Sequence, residues 1–115
     1  MKKLAEKVLD VTQDMWEMAN LWPNTTNLPV IVFVSFKGNS KHGPRIKVMT
    51  HKGRMDLDST VPVSISDNPE VLEGELDVAI LKLVKKWVIS NKVILMLYWD
   101  GKIDTGELIG SLKKI

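Results

Sequence analysis

Apolar positions between Gly74 and Gly101 recur at helical spacing, and the rest of the chain is organised around this stretch. Six apolar residues share one stripe, and three lysines fall mostly on the other side: Leu76, Ile80, Leu83, Val84, Trp87 and Val88 against Lys82, Lys85 and Lys86. Asp77 lies in the first turn, where a carboxylate suits the positive end of the helix dipole. The pattern predicts an amphipathic helix whose apolar side covers a small sheet.

A second apolar run, from Val93 to Trp99, follows Asn91 directly. Asn91 is expected to interrupt the first helix and to cap a second one. Periodicity alone does not separate a helix from a strand in so short a run. We favour the helix and keep the strand as the alternative.

The tail from Asp104 to Ile115 is ambiguous in sequence. Asp104 and Glu107, three residues apart, have the spacing of a capping box, which favours a helix. Gly106 and Gly110 weaken that helix because glycine has a low helix propensity. The conformation of residues 104–115 therefore stays open.

Residues 2 to about 21 also keep a 3.6-residue rhythm and predict an N-terminal amphipathic helix, ended by Pro23 and a polar connector. Its apolar positions are Leu4, Val8, Val11, Met15, Met18, Ala19 and Trp22. Trp16 lies near the edge of this stripe. We expect part of that surface to stay exposed and to serve a homodimer or partner contact.

Between Pro29 and Leu72 the pattern changes to the period of strands. The run from Val30 to Phe36 is apolar on both faces, which predicts a central strand covered on each side. A glycine-bearing loop leads to a second strand, Arg45 to His51. A third strand, or a pair of collinear pieces, carries Pro62, which suggests an edge or a bulge. Its apolar face holds Met55, Leu57, Val61, Val63 and Ile65, and Val71–Leu72 forms a short return strand.

These elements predict an α+β fold in a single domain, residues 1–115. The N-terminal helix takes residues 1–22, and a three- to four-stranded antiparallel meander takes residues 28–73. A helical segment, residues 75–100, packs on the sheet, and residues 101–115 form the tail. A chain of 115 residues buries a sufficient core without metals or disulfides.

Composition narrows the class of protein. The apolar share of 44% and the charged share of 26% are those of a soluble globular protein. The absence of cysteine excludes disulfides, thiolate catalysis and cysteine metal sites, and fits a reducing cytosol. No apolar run approaches the ~20 residues of a spanning helix, and charged residues interrupt any signal-peptide core. We expect a cytoplasmic protein without membrane contact.

No catalytic or metal motif stands out. His42 and His51 have no metal-ligand spacing, so each is expected to be a solvent-facing hairpin residue. Asp56 and Asp58 are two apart on a predicted strand face and suit either a hard cation or, as we prefer, a polar surface. The serines lie in no nucleophile-elbow pattern, and no glycine motif cradles phosphate. We predict a non-enzymatic protein with no catalytic residues, metal or cofactor.

Charge is distributed unevenly, although the net charge is only +2. No acid lies between Glu17 and Asp56, and no base lies between Asp56 and Asp77. The basic segment supplies the candidate binding residues, which we call the predicted basic hairpin: Lys37, Lys41, His42, Arg45, Lys47, Lys52 and Arg54. Three roles are open for this hairpin. It contacts nucleic-acid phosphates, it is merely a solvated surface, or it docks on an acidic segment of another protein or of a second copy.

Two segments resemble a family of small bacterial proteins known as a domain of unknown function (number four-one-six-zero), from about Pro29 to Gly106. The first segment is a turn with the sequence VLEG followed by a pair of helices, and it matches at residues 71–76, 79–84, Trp87, 91–92, Leu95 and Trp99. The second segment is a hairpin at residues 43–48. The family hairpin typically has PPHxHV. Arg45 and Lys47 replace both of its histidines, so any metal or acid–base role of theirs is missing here. The N-terminal helix is an addition.

Members of that family are often found beside small antitoxin-like or DNA-binding partners, so the resemblance implies a toxin–antitoxin-type module. It does not imply a reaction. The leading hypothesis is a small cytoplasmic binding protein that contacts nucleic acid or an acidic partner through the predicted basic hairpin. The alternative is a protein-interaction module that oligomerises through its apolar helix surface.

Overall fold

The computed structural model describes residues 18–115 and shows an α+β fold with a four-stranded antiparallel sheet followed by helices. The elements, in chain order, are β1 (Ala19–Leu21), α1 (Pro23–Thr26), β2 (Val32–Val34), β3 (Arg45–Met49), a 3-10 turn (Leu57–Ser59), β4 (Thr60–Ser64), α2 (Val78–Ser90), α3 (Lys92–Trp99) and α4 (Thr105–Ser111). No helix within this range is long and apolar enough to cross a membrane.

The strands form a meander in the order β1-β2-β3-β4, and every neighbouring pair is antiparallel. Val48 of β3 pairs with Val32 of β2 on one side and with Val61 of β4 on the other. β4 is the last strand in the order, in agreement with the edge position that its proline suggested. The short return strand is a single bridge, from Val63 to Val71.

The prediction of a helix is wrong for its last residues, Ala19–Leu21. Ala19–Leu21 form β1, an edge strand paired with β2, with Ala19 and Leu21 buried and Asn20 exposed between them. Alternating burial and cross-strand hydrogen bonds outweigh the helical spacing of these residues. Pro23 begins the one-turn helix α1 instead of a connector. The rest of the predicted helix, including Trp16, lies outside the described residues.

One face of the sheet builds the core, and we call it the apolar face. Its eight side chains are all buried: Ala19, Leu21, Val32, Val34, Ile46, Val48, Val61 and Val63. All of them except Val61 belong to one cluster with helical side chains, namely Val84, Trp87, Val88, Leu95, Tyr98 and Leu108. Phe33 and Met49 alternate onto the other face, here called the polar face, and are buried too. The prediction that β2 is central and covered on both faces is therefore confirmed.

The long amphipathic helix is confirmed as α2. Asp77 is its N-cap, and its carboxylate accepts hydrogen bonds from the N–H groups of Ala79 and Ile80. Val84, Trp87 and Val88 are buried, whereas Ile80 and Leu83 are only half-buried. The second apolar run is the helix α3, so the strand alternative is wrong.

Asn91 separates α2 from α3 as predicted, but its side chain does not cap α3. The buried amide nitrogen donates to the carbonyls of Trp87 and Lys113, at 2.9 and 3.0 Å. The amide oxygen accepts from the N–H of Lys113 at 2.8 Å. Asn91 thus fastens the C-terminal tail to the junction of the two helices.

The tail contains the helix α4, and the capping box between Asp104 and Glu107 is present in both directions. The cap and the burial of Leu108 outweigh the low helix propensity of Gly106 and Gly110.

The prediction of the third strand is wrong for its first part, before Thr60. Only Thr60–Ser64 is extended and paired, and Leu57 belongs to a 3-10 turn with its side chain 45% exposed. The turn forms because Asp56 caps it, so the alternation that begins at Met55 is not one continuous strand.

Candidate nucleic-acid interface

The predicted basic hairpin is divided between the two ends of β3. At one end, the β2–β3 loop and the start of β3 carry Lys37, Lys41, His42 and Arg45. Lys52 and Arg54 lie in the β3–β4 connection, beyond the other end. Since β3 rises about 3.3 Å per residue, its ends are roughly 13 Å apart. The seven residues therefore do not form one compact site.

The β2–β3 loop is attached to the helical layer. The N–H of Lys37 donates to the carbonyl of Trp99, the last residue of α3, at 2.6 Å. The N–H of Ser40 donates to the carbonyl of Lys37 at 2.8 Å, which closes a turn through Gly38 at a positive φ of 51°. These bonds fix the start of the loop, and with it Lys37, relative to the sheet.

The second half of the loop is organised by short-range bonds. The hydroxyl oxygen of Ser40 accepts from the N–H of His42 at 3.1 Å. The Nε of Arg45 donates to the carbonyl of Gly43 at 3.3 Å, so this guanidinium folds back over the loop that precedes it. His42 and Lys41 remain exposed at the tip.

Lys47 brings the charge onto the polar face of the sheet. It lies in register between Phe33 of β2 and Pro62 of β4, and it is exposed although both neighbouring strands flank it. Arg45, two residues earlier on the same strand, shares this face. We call Lys37, Lys41, His42, Arg45 and Lys47 the β2–β3 basic cluster.

No ion pair neutralises this cluster within residues 18–115. The two pairs in that range join His51 to Asp56, at 4.0 Å, and Lys92 to Asp67, at 2.6 Å. Both lie outside the β2–β3 basic cluster. Within these residues the charges of the cluster are therefore not paired, and unpaired positive charge attracts anions.

The other end of β3 is partly compensated by Asp56. A hydrogen bond from the Ser59 hydroxyl, at 2.7 Å, is the largest cause that lowers the pKa of Asp56 below 3.8, and the N–H of Asp58 adds to it. His51 and Arg54 lower this pKa further by their charge. Asp56 is thus an anion placed next to the cations of the β3–β4 connection, which makes that end less attractive to phosphate.

The prediction that Asp56 and Asp58 lie side by side on a strand face is wrong. Asp56 precedes the 3-10 turn and accepts the backbone N–H of Asp58 instead. No group of three or more histidine, aspartate or glutamate side chains in the described part of the chain is placed to hold a metal ion.

A groove of about 600 Å³ lies beside the β2–β3 basic cluster. Two of the predicted cations, Lys37 and Lys47, line it together with polar and apolar side chains: Ser35, Asn39, Ser40, Asp58, Met18, Phe36 and Leu57. The lining therefore combines two lysines and one carboxylate with uncharged polar and apolar side chains.

Sequence reasoning missed most of this lining. Phe36 and Ser40 had a local signal, since an aromatic residue directly before Lys37 and a small polar loop are both visible in the sequence. Met18 and Leu57 had no local signal, because they are distant from the loop in sequence and reach the groove only in the folded protein.

No family model matches the chain, and searches of curated proteins and of solved structures found no match. The resemblance to the domain of unknown function stays a prediction.

Proposed function

We propose that this protein is a non-enzymatic binding protein that holds nucleic-acid phosphates with the β2–β3 basic cluster. The observation that carries the proposal is the placement of Lys37, Lys41, Arg45 and Lys47 on one loop and the adjoining strand, without an ion-pair partner in residues 18–115. Lysine and arginine at phosphates release condensed counterions, which supplies affinity without reading sequence.

Binding is expected to be weak and without sequence preference. Base recognition in a groove needs bidentate side chains directed at base edges. Arg45 is the one arginine of the cluster, and its Nε is already engaged by the carbonyl of Gly43. The remaining cations are lysines, which act on phosphate as point charges.

The test compares two triple variants with the same change in net charge. One replaces Lys37, Lys41 and Lys47 with Gln, and the control replaces Lys82, Lys86 and Lys114, which are also exposed. Fluorescence anisotropy with a labelled 12-mer at low salt measures the affinity. The cluster variant is expected to lose roughly tenfold or more, since each lost phosphate contact removes one released counterion. The control is expected to stay close to the wild type.

Two results would contradict the proposal. Equal losses in both triple variants would mean that net charge, and not the cluster, attracts the nucleic acid. Competition by polyglutamate as strong as that by an unlabelled oligonucleotide would indicate an acidic protein partner instead.

The toxin–antitoxin-type setting implied by the family resemblance is part of this proposal only as a biological context. Co-purification with the product of a neighbouring gene tests it.

Oligomerisation through the helices is a second candidate, and it is favoured by exposed aliphatic side chains where α2 meets α3. Ile89 is 54% exposed and Val93 is 76% exposed, with the half-buried Ile94 beside them. Light scattering of the wild type and of an Ile89→Gln, Val93→Gln variant tests this candidate, which expects a dimer in the wild type and a monomer in the variant. A monomeric wild type at high micromolar concentration contradicts it.

A further inference from the structure

The groove beside the β2–β3 basic cluster differs from a flat basic surface. Its volume of about 600 Å³ lies within the range of roughly 300–1,000 Å³ that small-molecule pockets occupy. Lys37 and Lys47 reach it from the loop and from the middle of β3. Phe36, Met18 and Leu57 contribute apolar surface to its lining, and Ser40 lines it as well.

This combination fits a phosphate joined to a flat apolar group. We infer that the groove holds one unstacked nucleotide of a single strand, with its phosphate on Lys37 and Lys47 and its base against Phe36. The inference rests on the proposed function and adds the class of nucleic acid to it. In a duplex each base is stacked and paired inside the helix, so a half-buried aromatic ring such as Phe36 does not reach its face.

The position of Phe36 is fixed by its neighbours along the chain. It follows β2, and the next residue, Lys37, is tied to the carbonyl of Trp99. The backbone that carries Phe36 is therefore fixed beside the groove before a base arrives, which lowers the entropic cost of binding.

The carboxylate of Asp58 also lines the groove and limits what it accepts. It repels phosphate, so two adjacent phosphates are disfavoured there, whereas an N–H group of a base, such as the N3–H of thymine, can donate a hydrogen bond to it. The groove is thus suited to a single phosphate next to a base and not to a continuous run of phosphates.

The test measures anisotropy of a labelled single-stranded dT 12-mer and of a 12-base-pair duplex with wild type, Phe36→Leu and Leu57→Ser. Phe36→Leu keeps an apolar side chain but removes the ring, and is expected to weaken single-strand binding roughly five- to tenfold, in line with the loss of one base–aromatic stack. Leu57→Ser, at an exposed position, is expected to weaken it about two- to threefold by removing apolar wall. Duplex binding is expected to stay within about twofold for both, because it uses phosphates only.

The outcomes separate this inference from the proposed function. If single strand and duplex bind equally, and neither substitution changes single-strand affinity, the phosphate-binding proposal stands and the nucleotide pocket is wrong. Inorganic polyphosphate that competes as well as the single strand would likewise contradict the pocket and leave phosphate binding in place. If neither nucleic acid binds the wild type at low salt, both fail. Should Phe36→Leu unfold the protein, as circular dichroism would show, Leu57→Ser alone decides.

Discussion

Trp87 is the largest of the fully buried side chains, and it joins α2 to the core beneath the sheet. Its indole Nε1 is buried without a hydrogen-bond partner in the described range, so this side chain is held by packing. Its burial means that the stripe of α2, recognised from spacing, is part of the core.

Trp87→Ala is expected to lower the free energy of unfolding by about 3–5 kcal/mol, the range for emptying a large aromatic site. Trp87→Phe should cost less, because it keeps most of the ring volume and removes a buried donor without a partner. Urea unfolding measures both. A loss below about 1 kcal/mol for the alanine variant would show that this side of α2 is not the core.

The lowered pKa of Asp56 predicts that the free energy of unfolding depends on pH. Its pKa in the folded protein is below 3.8, chiefly because of the Ser59 hydroxyl. A depressed pKa contributes stability that is fully present above the unfolded value and is lost as pH falls through the folded value. Asp56→Asn keeps an acceptor oxygen but no charge. The difference in unfolding free energy between wild type and variant should therefore be present at neutral pH and should shrink as the pH falls below 3.8. A difference that does not change with acid would contradict this account.

At the scale of elements, α2 depends on its N-cap. The carboxylate of Asp77 accepts two backbone N–H groups that the helix itself leaves without partners. Asp77→Ala is expected to cost about 1 kcal/mol in urea unfolding. Glu75→Ala removes the same charge from an exposed position just outside the helix and should cost less than about 0.5 kcal/mol. Equal losses would mean that general electrostatics, and not capping, matters here.

Elements with a strong local signal were predictable from the sequence. The capping box of α4 and the buried alternation of Val61, Val63 and Ile65 appear where the pattern places them. The stripe of α2 does so in part, since Val84, Trp87 and Val88 are buried but Leu76 precedes the helix. The local signal failed where long-range pairing decides. Ala19–Leu21 fit a helical rhythm, but three residues at a sheet edge gain hydrogen bonds from β2 that no local pattern shows.

For the side chain of Asn91, too, a contact with a residue distant in sequence decides the role. The sequence located the break between two helices, yet the use of the amide depends on Lys113, 22 residues later in the chain. Leu57 was misplaced because the carboxylate of Asp56 competes for nearby backbone and hydroxyl donors and bends the chain into a turn.

For the whole molecule, charge asymmetry along the chain was enough to select the candidate binding residues. It was not enough to predict that β3 separates them into two groups, of which one lies next to Asp56. The groove was also beyond sequence reasoning, since its wall combines Met18, Phe36 and Leu57 from three separate parts of the chain. What the structure adds is the unpaired state of the β2–β3 basic cluster within residues 18–115 and the groove beside it.

The most direct measurement of the central claim is the salt dependence of binding to a single-stranded 12-mer. The β2–β3 basic cluster has four lysine and arginine side chains, so a plot of log K against log[salt] should have a slope of about −3 for the wild type. With Lys37, Lys41 and Lys47 replaced by Gln, the slope should fall to about −1. No binding by the wild type at low salt, or the same slope in both proteins, would contradict the claim that this cluster holds phosphates.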